Sequence, residues 1–253
     1  MAAAAKSQDR IPKLTRVQLT PLGRKPHGCP AAVTPSWARL TATHKAITGL
    51  FDTLHVLRER SAEEGNPRRL TEDQLDQVRA AIVFTSAGLD ACLRRLLRDA
   101  LPDLIHAGGA ADGKFTGYMH EHRLRGELTK ATKSAITSAD PRARLIDLYV
   151  EDLAGSSLQS WQDLQSVRDA LGLTARTLVD SNLQNLKPFF AARNEISHEL
   201  DLVDPSGRGN RGRRHREMTA VGSQCDLVIH VIEDFLVDTS KAIKAIPAST
   251  PIT

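Results

Sequence analysis

The chain has 253 residues, 41% of them apolar and 25% charged, with a formal net charge of +4. That length suits one large domain or two small ones, and the apolar share is enough for a real core. A mildly basic balance is compatible with nucleic acid without establishing it. No stretch approaches the roughly 20 apolar residues that cross a bilayer. The start, MAAAAKSQDR, lacks the long apolar run of a secretory signal. A cytoplasmic protein with no membrane partner is expected. Cys29, Cys92 and Cys225 are widely spaced and form no CxxC, which predicts reduced thiols, two of them small core residues.

In chain order, residues 1–33 form a basic, proline-rich tail. Lys6, Arg10, Lys13, Arg16, Arg24 and Lys25 face one acid, Asp9, and Pro12, Pro21, Pro26 and Pro30 break any helix. Such a segment is expected either as a solvated arm or as a basic arm that touches RNA or a partner. From residue 34 to 253 a single α-helical domain is predicted. Thr34 and Pro35 start a helix that runs to about Glu63, with Trp37, Leu40, Ile47, Leu50, Leu54 and Leu57 at helical spacing. Thr71-Glu72-Asp73-Gln74 fits a capping box and opens a long helix to about 101. Ala80 to Leu97 is apolar on most sides, which predicts a central buried helix. Asp90 interrupts that run, and a buried carboxylate needs a partner.

Residues 106–139 are expected as a loop-rich insertion. Four glycines fall in 106–117, and a weaker, polar helical piece follows from Tyr118. In His120-Glu121-His122, alternation turns the two imidazoles apart on a helix, so no metal site is expected there. A helix starts at Asp140-Pro141, and another over 158–171 closes at Gly172. The segment 174–202 is predicted helical, with Pro188 kinking or restarting it near Lys187. Asp204-Pro205-Ser206-Gly207 is a turn, and an arginine-rich loop over 205–216 carries Arg208, Arg211, Arg213, Arg214 and Arg216. A last helix occupies about 217–245. No strand alternation persists anywhere. The fold class is therefore all-α, a bundle of long antiparallel helices.

Chemistry concentrates in Arg193-Asn194-Glu195-Ile196-Ser197-His198. Asn194 and His198 are i, i+4 neighbours on one helix face, and the long Arg193 side chain reaches the same side. The spacing alone is weak. Arg39 and His44 are also five apart, and such a pair is expected by chance in an arginine-rich chain with nine histidines. The full string carries more. Arg193-Asn194, followed by Ile196, His198, Glu199 and Asp201, resembles the signature of HEPN domains, whose ribonuclease members carry R-N-x-x-x-H. The helix FTSAGLDACLRRLLRDAL at 84–101 is similar to the second helix of that superfamily, in particular of the RiboL-PSP-HEPN group. The resemblance covers residues 71–105 and 140–245.

That resemblance implies an all-α homodimer in which paired Arg and His residues cut RNA without a metal. His198 would then be the acid/base residue, Arg193 the phosphate binder, Asn194 the residue that orients the site, and Asp90 the acidic residue of the preceding helix. Many members act as toxins or in phage defence, so an antitoxin or regulatory protein is a further candidate partner. Some carry a tyrosine two residues after the histidine, which a partner enzyme modifies. Here Leu200 holds that position.

The residue types agree with this chemistry on their own terms. Cleavage of RNA by its own 2′-hydroxyl needs a proton acceptor, a proton donor and positive charge on the phosphate. A histidine titrating near 6.5 can accept or donate, and an arginine stays charged with a forked set of donors. No DxD, HExxH or P-loop is present, so no metal or cofactor is expected. The arginine loop suits an RNA backbone, or is simply solvated. Two functions follow as expectations: a metal-independent endoribonuclease of single-stranded RNA, or a non-catalytic helical RNA-binding or scaffolding module.

Overall fold

A computed structural model describes residues 14–64, 70–207 and 212–247. Among these the protein is all-α, with one isolated bridge, Leu202 to Arg213, and no named strand. The helices are α1 (Thr34–Glu63), α2 (Glu72–His106), α3 (Ala110–Tyr118), α4 (Lys130–Ile136), α5 (Pro141–Gly155), α6 (Trp161–Ala170), α7 (Asp180–Gln184), α8 (Lys187–Glu199) and α9 (Met218–Lys244). Their buried faces merge into one continuous apolar cluster that runs from Leu19 to Leu236.

Helix α2 is the axis of the bundle and packs against α1, α5, α8 and α9. Its start is the predicted capping box: Thr71 Oγ1 accepts from the Gln74 amide at 3.3 Å, and Gln74 Oε1 from the Thr71 amide at 3.2 Å. Helix α1 lies antiparallel to it. Ser36 Oγ donates to the Cys92 carbonyl at 3.0 Å near one end, and Gln74 Nε2 to Ser61 Oγ at 3.0 Å near the other. Between these points Gly88 lets the helices close up, because a Cβ there would overlap the Thr43 side chain. Helix α9 runs parallel to α2 within the bundle. Its start lies near Arg79 and its end near His27, where Lys244 Nζ donates to the carbonyl at 2.5 Å. The burial of α2 is one-sided. Its inward stripe, Ile82, Leu89, Leu93, Leu96 and Leu97, is fully covered, whereas Val83 is 36% and Phe84 56% exposed.

Two segments differ from expectation. The glycine-rich stretch after His106 forms α3, followed by a π-helical turn over Met119–Arg123. Gly108 and Gly109 supply the turn, at φ 83° and 77°. Ala111 and Phe115 then bury against the core, so the insertion is largely helical. Residues 14–33 are a docked strap rather than a loose arm. Leu19 is buried, and Val17 fits over Gly222. The strap has no strand beside it, and two carboxylates of α9 accept its amides. Asp226 takes the Thr20 amide at 2.7 Å, and Glu233 takes the Gly23 amide at 2.7 Å. Arg16 pairs with Asp52 at 2.6 Å, and Arg58 donates to the Thr15 carbonyl at 2.6 Å.

Candidate active site

Pro188 falls in the first turn of α8, where its missing N–H is harmless. Phe189, Phe190 and Ala192 are buried and hold the helix to the bundle. A helix turns 100° per residue. His198 is nine residues past Phe189, a net half turn, so it points directly away from the core. Asn194, Ser197 and His198 are all exposed, and Arg193 is half-buried. Arg193 Nη1 donates to Asn194 Oδ1 at 2.9 Å, which joins the arginine and the amide into one polar edge. The His198 ring has no hydrogen-bond partner among the described residues.

The end of α8 is unusual. Leu200 and Asp201, neither of them glycine, sit at φ 52° and 59°, in the left-handed region. Each such residue is disfavoured by about 1–2 kcal/mol. Tertiary contacts impose this ending. The Asp201 side chain is fully buried, and its carboxylate accepts from Arg79 Nε on α2 at 2.8 Å and from Arg216 Nη2 at 2.5 Å. Its amide donates to the Glu195 carbonyl at 2.9 Å, and its carbonyl accepts from the Arg214 amide at 2.7 Å. Burial pushes the Asp201 carboxyl up, but the hydrogen bonds and charges of Arg216 and Arg79 outweigh it and leave the carboxyl below its ordinary value. Burial likewise pulls the two guanidiniums down, and their carboxylate partners hold them above the ordinary arginine value.

Three residues of the arginine loop face inward. Arg213 Nη1 meets Asp76 at 2.5 Å, and its Nε donates to the Leu200 carbonyl at 3.3 Å. Arg214 Nη1 meets Glu199 at 3.3 Å and also donates to the Leu202 carbonyl. Arg216 Nη2 adds Glu195 at 2.5 Å. These three cations therefore cap the C-terminal carbonyls and carboxylates of the motif helix. Arg208 and Arg211 lie outside the described residues.

Asp90 is not beside His198 within this chain. It lies eleven residues beyond Arg79 on α2, roughly 16 Å at 1.5 Å per residue. Its Oδ2 accepts from Arg94 Nε at 2.6 Å and its Oδ1 from the Leu158 amide at 3.0 Å. It thus ties the connection between α5 and α6 to the central helix. Asp90 stands out in the sequence as an ionisable group in an apolar helix, whereas Arg79 is less conspicuous and occupies the same stripe as Leu75, Val78 and Ile82. That register is the signal that it needs a buried anion. Cys92 and Cys225 are core residues as expected, and burial pushes both thiols up to about 12. Among the described residues no His, Cys, Asp and Glu side chains cluster with metal-binding spacing.

One further surface adjoins the motif. Asp201 beside Arg79, with Lys187 at the far end over the Trp161 ring near Leu158, sets α8 antiparallel to α2. With both helices right-handed, the side of α8 that carries Arg193, Asn194 and Ser197 faces the same way as the exposed Val83, Phe84 and Ala87 of α2. No helix of the described residues is long and apolar enough to cross a membrane. No family model, curated protein or solved structure matches the chain.

Proposed function

We propose that this protein is a metal-independent endoribonuclease of HEPN type that cuts single-stranded RNA as a homodimer. The observation that carries it is the solvent-facing edge of α8. Asn194 and His198 are exposed there, and the half-buried Arg193 is bonded only to Asn194 among the described residues, while the arginines and carboxylates just beyond them are paired off. In the reaction a 2′-hydroxyl attacks the adjacent phosphorus. The 2′ oxygen–phosphorus bond forms, the bond to the 5′ oxygen breaks, and a 2′,3′-cyclic phosphate and a 5′-hydroxyl result. His198 takes the 2′ proton, and the partner's His198 gives one to the leaving oxygen. Arg193 neutralises the charge that builds on the phosphate. A single chain supplies one imidazole for two proton transfers, so the site is half of a pair.

The exposed apolar face of α2 is the surface we assign to that pairing. Val83 and Phe84 are exposed on α2, the helix that α8 packs against, and unpartnered apolar surface of this kind marks association. A role as a toxin or phage-defence effector, with an antitoxin or regulatory partner, extends the same proposal. Growth on induction tests it, because the wild type should slow its host and His198→Ala should not. The primary test is purified protein, single-stranded RNA and EDTA, with cyclic phosphate ends expected. Intact RNA would overturn the proposal.

A second possibility, a non-catalytic RNA-binding or scaffolding module, is favoured by one fact: the His198 ring has nothing in its own chain to fix its tautomer, as a general base ordinarily has. In that case RNA affinity would survive His198→Ala unchanged and no cleavage would occur. The inward pairing of Arg213, Arg214 and Arg216 counts against an RNA surface built from those three residues.

A further inference from the structure

The motif helix ends where its sequence alone would not end it. Leu200 and Asp201 take left-handed backbone without a glycine between them, a conformation that is costly for leucine and that aspartate adopts only occasionally. Released from its contacts, the chain would gain by relaxing both residues, and the last turn of α8 would move with them. That turn carries His198. Since the imidazole has no hydrogen-bond partner among the described residues, its position depends entirely on where its backbone is held.

We propose that Asp201, gripped between Arg79 and Arg216, is the positioning residue of the site, and that this buried pairing sets where His198 meets RNA. This inference rests on the ribonuclease proposal above. The grip is built from three separate parts of the fold. Arg79 comes from the buried stripe near the start of α2, Asp201 from just past the end of α8, and Arg216 from just before α9. Arg79 is further fixed by Asp76 at 2.9 Å and by the Arg214 carbonyl at 3.1 Å. Arg216 reaches back to Glu195, one turn before His198 on the same helix, at 2.5 Å. The helix is thus held at Glu195, before the histidine, and at Asp201, just past its end, both through Arg216. Asp201 itself has no exposed surface, so it acts through the backbone and not on the substrate.

Asp201→Asn keeps the shape and one acceptor but removes the charge from between two guanidiniums. Measured well below its melting temperature, this variant should show kcat lowered on the order of 10²-fold with KM within about twofold, as expected for misplacement of a reacting group. Amide hydrogen exchange should speed up at residues 199–202 and stay unchanged at Leu93, Leu96 and Leu97 in the core of α2. Arg216→Lys, which keeps the charge and gives up the fork, should lose only about tenfold, and it serves as the test if Asp201→Asn does not fold. Arg123→Met breaks a different pair, with Asp152 on α5, and should lower stability without changing kcat. Wild-type kcat in folded Asp201→Asn, or kcat that follows melting temperature across all three variants, would overturn the positioning role alone. An inactive wild type would overturn the ribonuclease proposal and this one with it.

Discussion

Arg216 and Glu195 meet at 2.5 Å, twenty-one residues apart in sequence, and that contact fastens the loop after the motif helix back onto the helix itself. A run of arginines that looks like a nucleic-acid surface in one dimension is, at residues 213, 214 and 216, a set of C-terminal caps. Among the described residues of the motif, Asn194 and His198 stay exposed, with Arg193 half-buried beside them.

His198→Ala and Arg193→Ala should each abolish RNA cleavage. Both side chains lie outside the core, so thermal stability should stay within about 0.5 kcal/mol of wild type. Gel analysis of product ends, with melting curves on the same preparations, checks both halves of this expectation.

Phe84→Glu places a carboxylate in the centre of the apolar face of α2. The fold should persist, because the side chain is already 56% exposed. Sedimentation should shift from dimer to monomer, and cleavage should fall with it. A dimeric, active Phe84→Glu would remove that face from the interface.

Asp90→Ala should leave kcat unaltered and lower stability by about 1–3 kcal/mol, the usual range for a buried donor left without its acceptor. The orphaned donor is the Leu158 amide, and Arg94 loses its carboxylate partner while keeping the Ala154 carbonyl. A loss of kcat in the folded variant would restore a catalytic role to this carboxylate.

Arg79→Met leaves Asp201 buried with half its compensation and should destabilise by about 3–5 kcal/mol. A lower urea midpoint at constant slope is the measurement.

Acid should act through the same residue. The carboxyl of Asp201 is held below its ordinary value in the fold, and an unfolded aspartate titrates near 3.9. Its contribution is complete above that unfolded value and is lost as pH falls through the lower, folded value. Urea midpoints of wild type should therefore drop below about pH 4, and Asp201→Asn should show a shallower decline there.

Local signals in the sequence carried well into the structure. The capping box at Thr71 and Gln74, the restart of the helix at Pro188 and the inward stripes of α1 and α2 depend on neighbours a few residues apart. They stand where spacing puts them. The helix over 110–118 was hidden because its glycines read as loop, while Ala111 and Phe115 found a core to enter. The end of α8 was hidden for a different reason. No glycine or proline marks it, and Arg79, the partner that enforces it, is 122 residues away. Helical spacing makes Asn194 and His198 neighbours on one face, and it was legible that both would be exposed. The inward turn of the arginine loop was not, since Arg216 finds Glu195 twenty-one residues back and Arg213 finds Asp76 on α2, farther than a sequence window spans.

The strap over residues 14–33 has a consequence for anyone shortening the protein. Asp226 and Glu233 face its amides as acceptors, and His230 stands between them, its Nδ1 2.8 Å from Glu233. Cutting the chain before Thr34 would remove the strap's hydrogen bonds to those acids, leaving them His230 alone, and uncover the apolar seat of Val17 and Leu19. The remainder would be a stickier and more acidic bundle. In any assay of a trimmed protein, lost solubility and lost activity would then arrive together, so the intact amino end belongs in every comparison of variants.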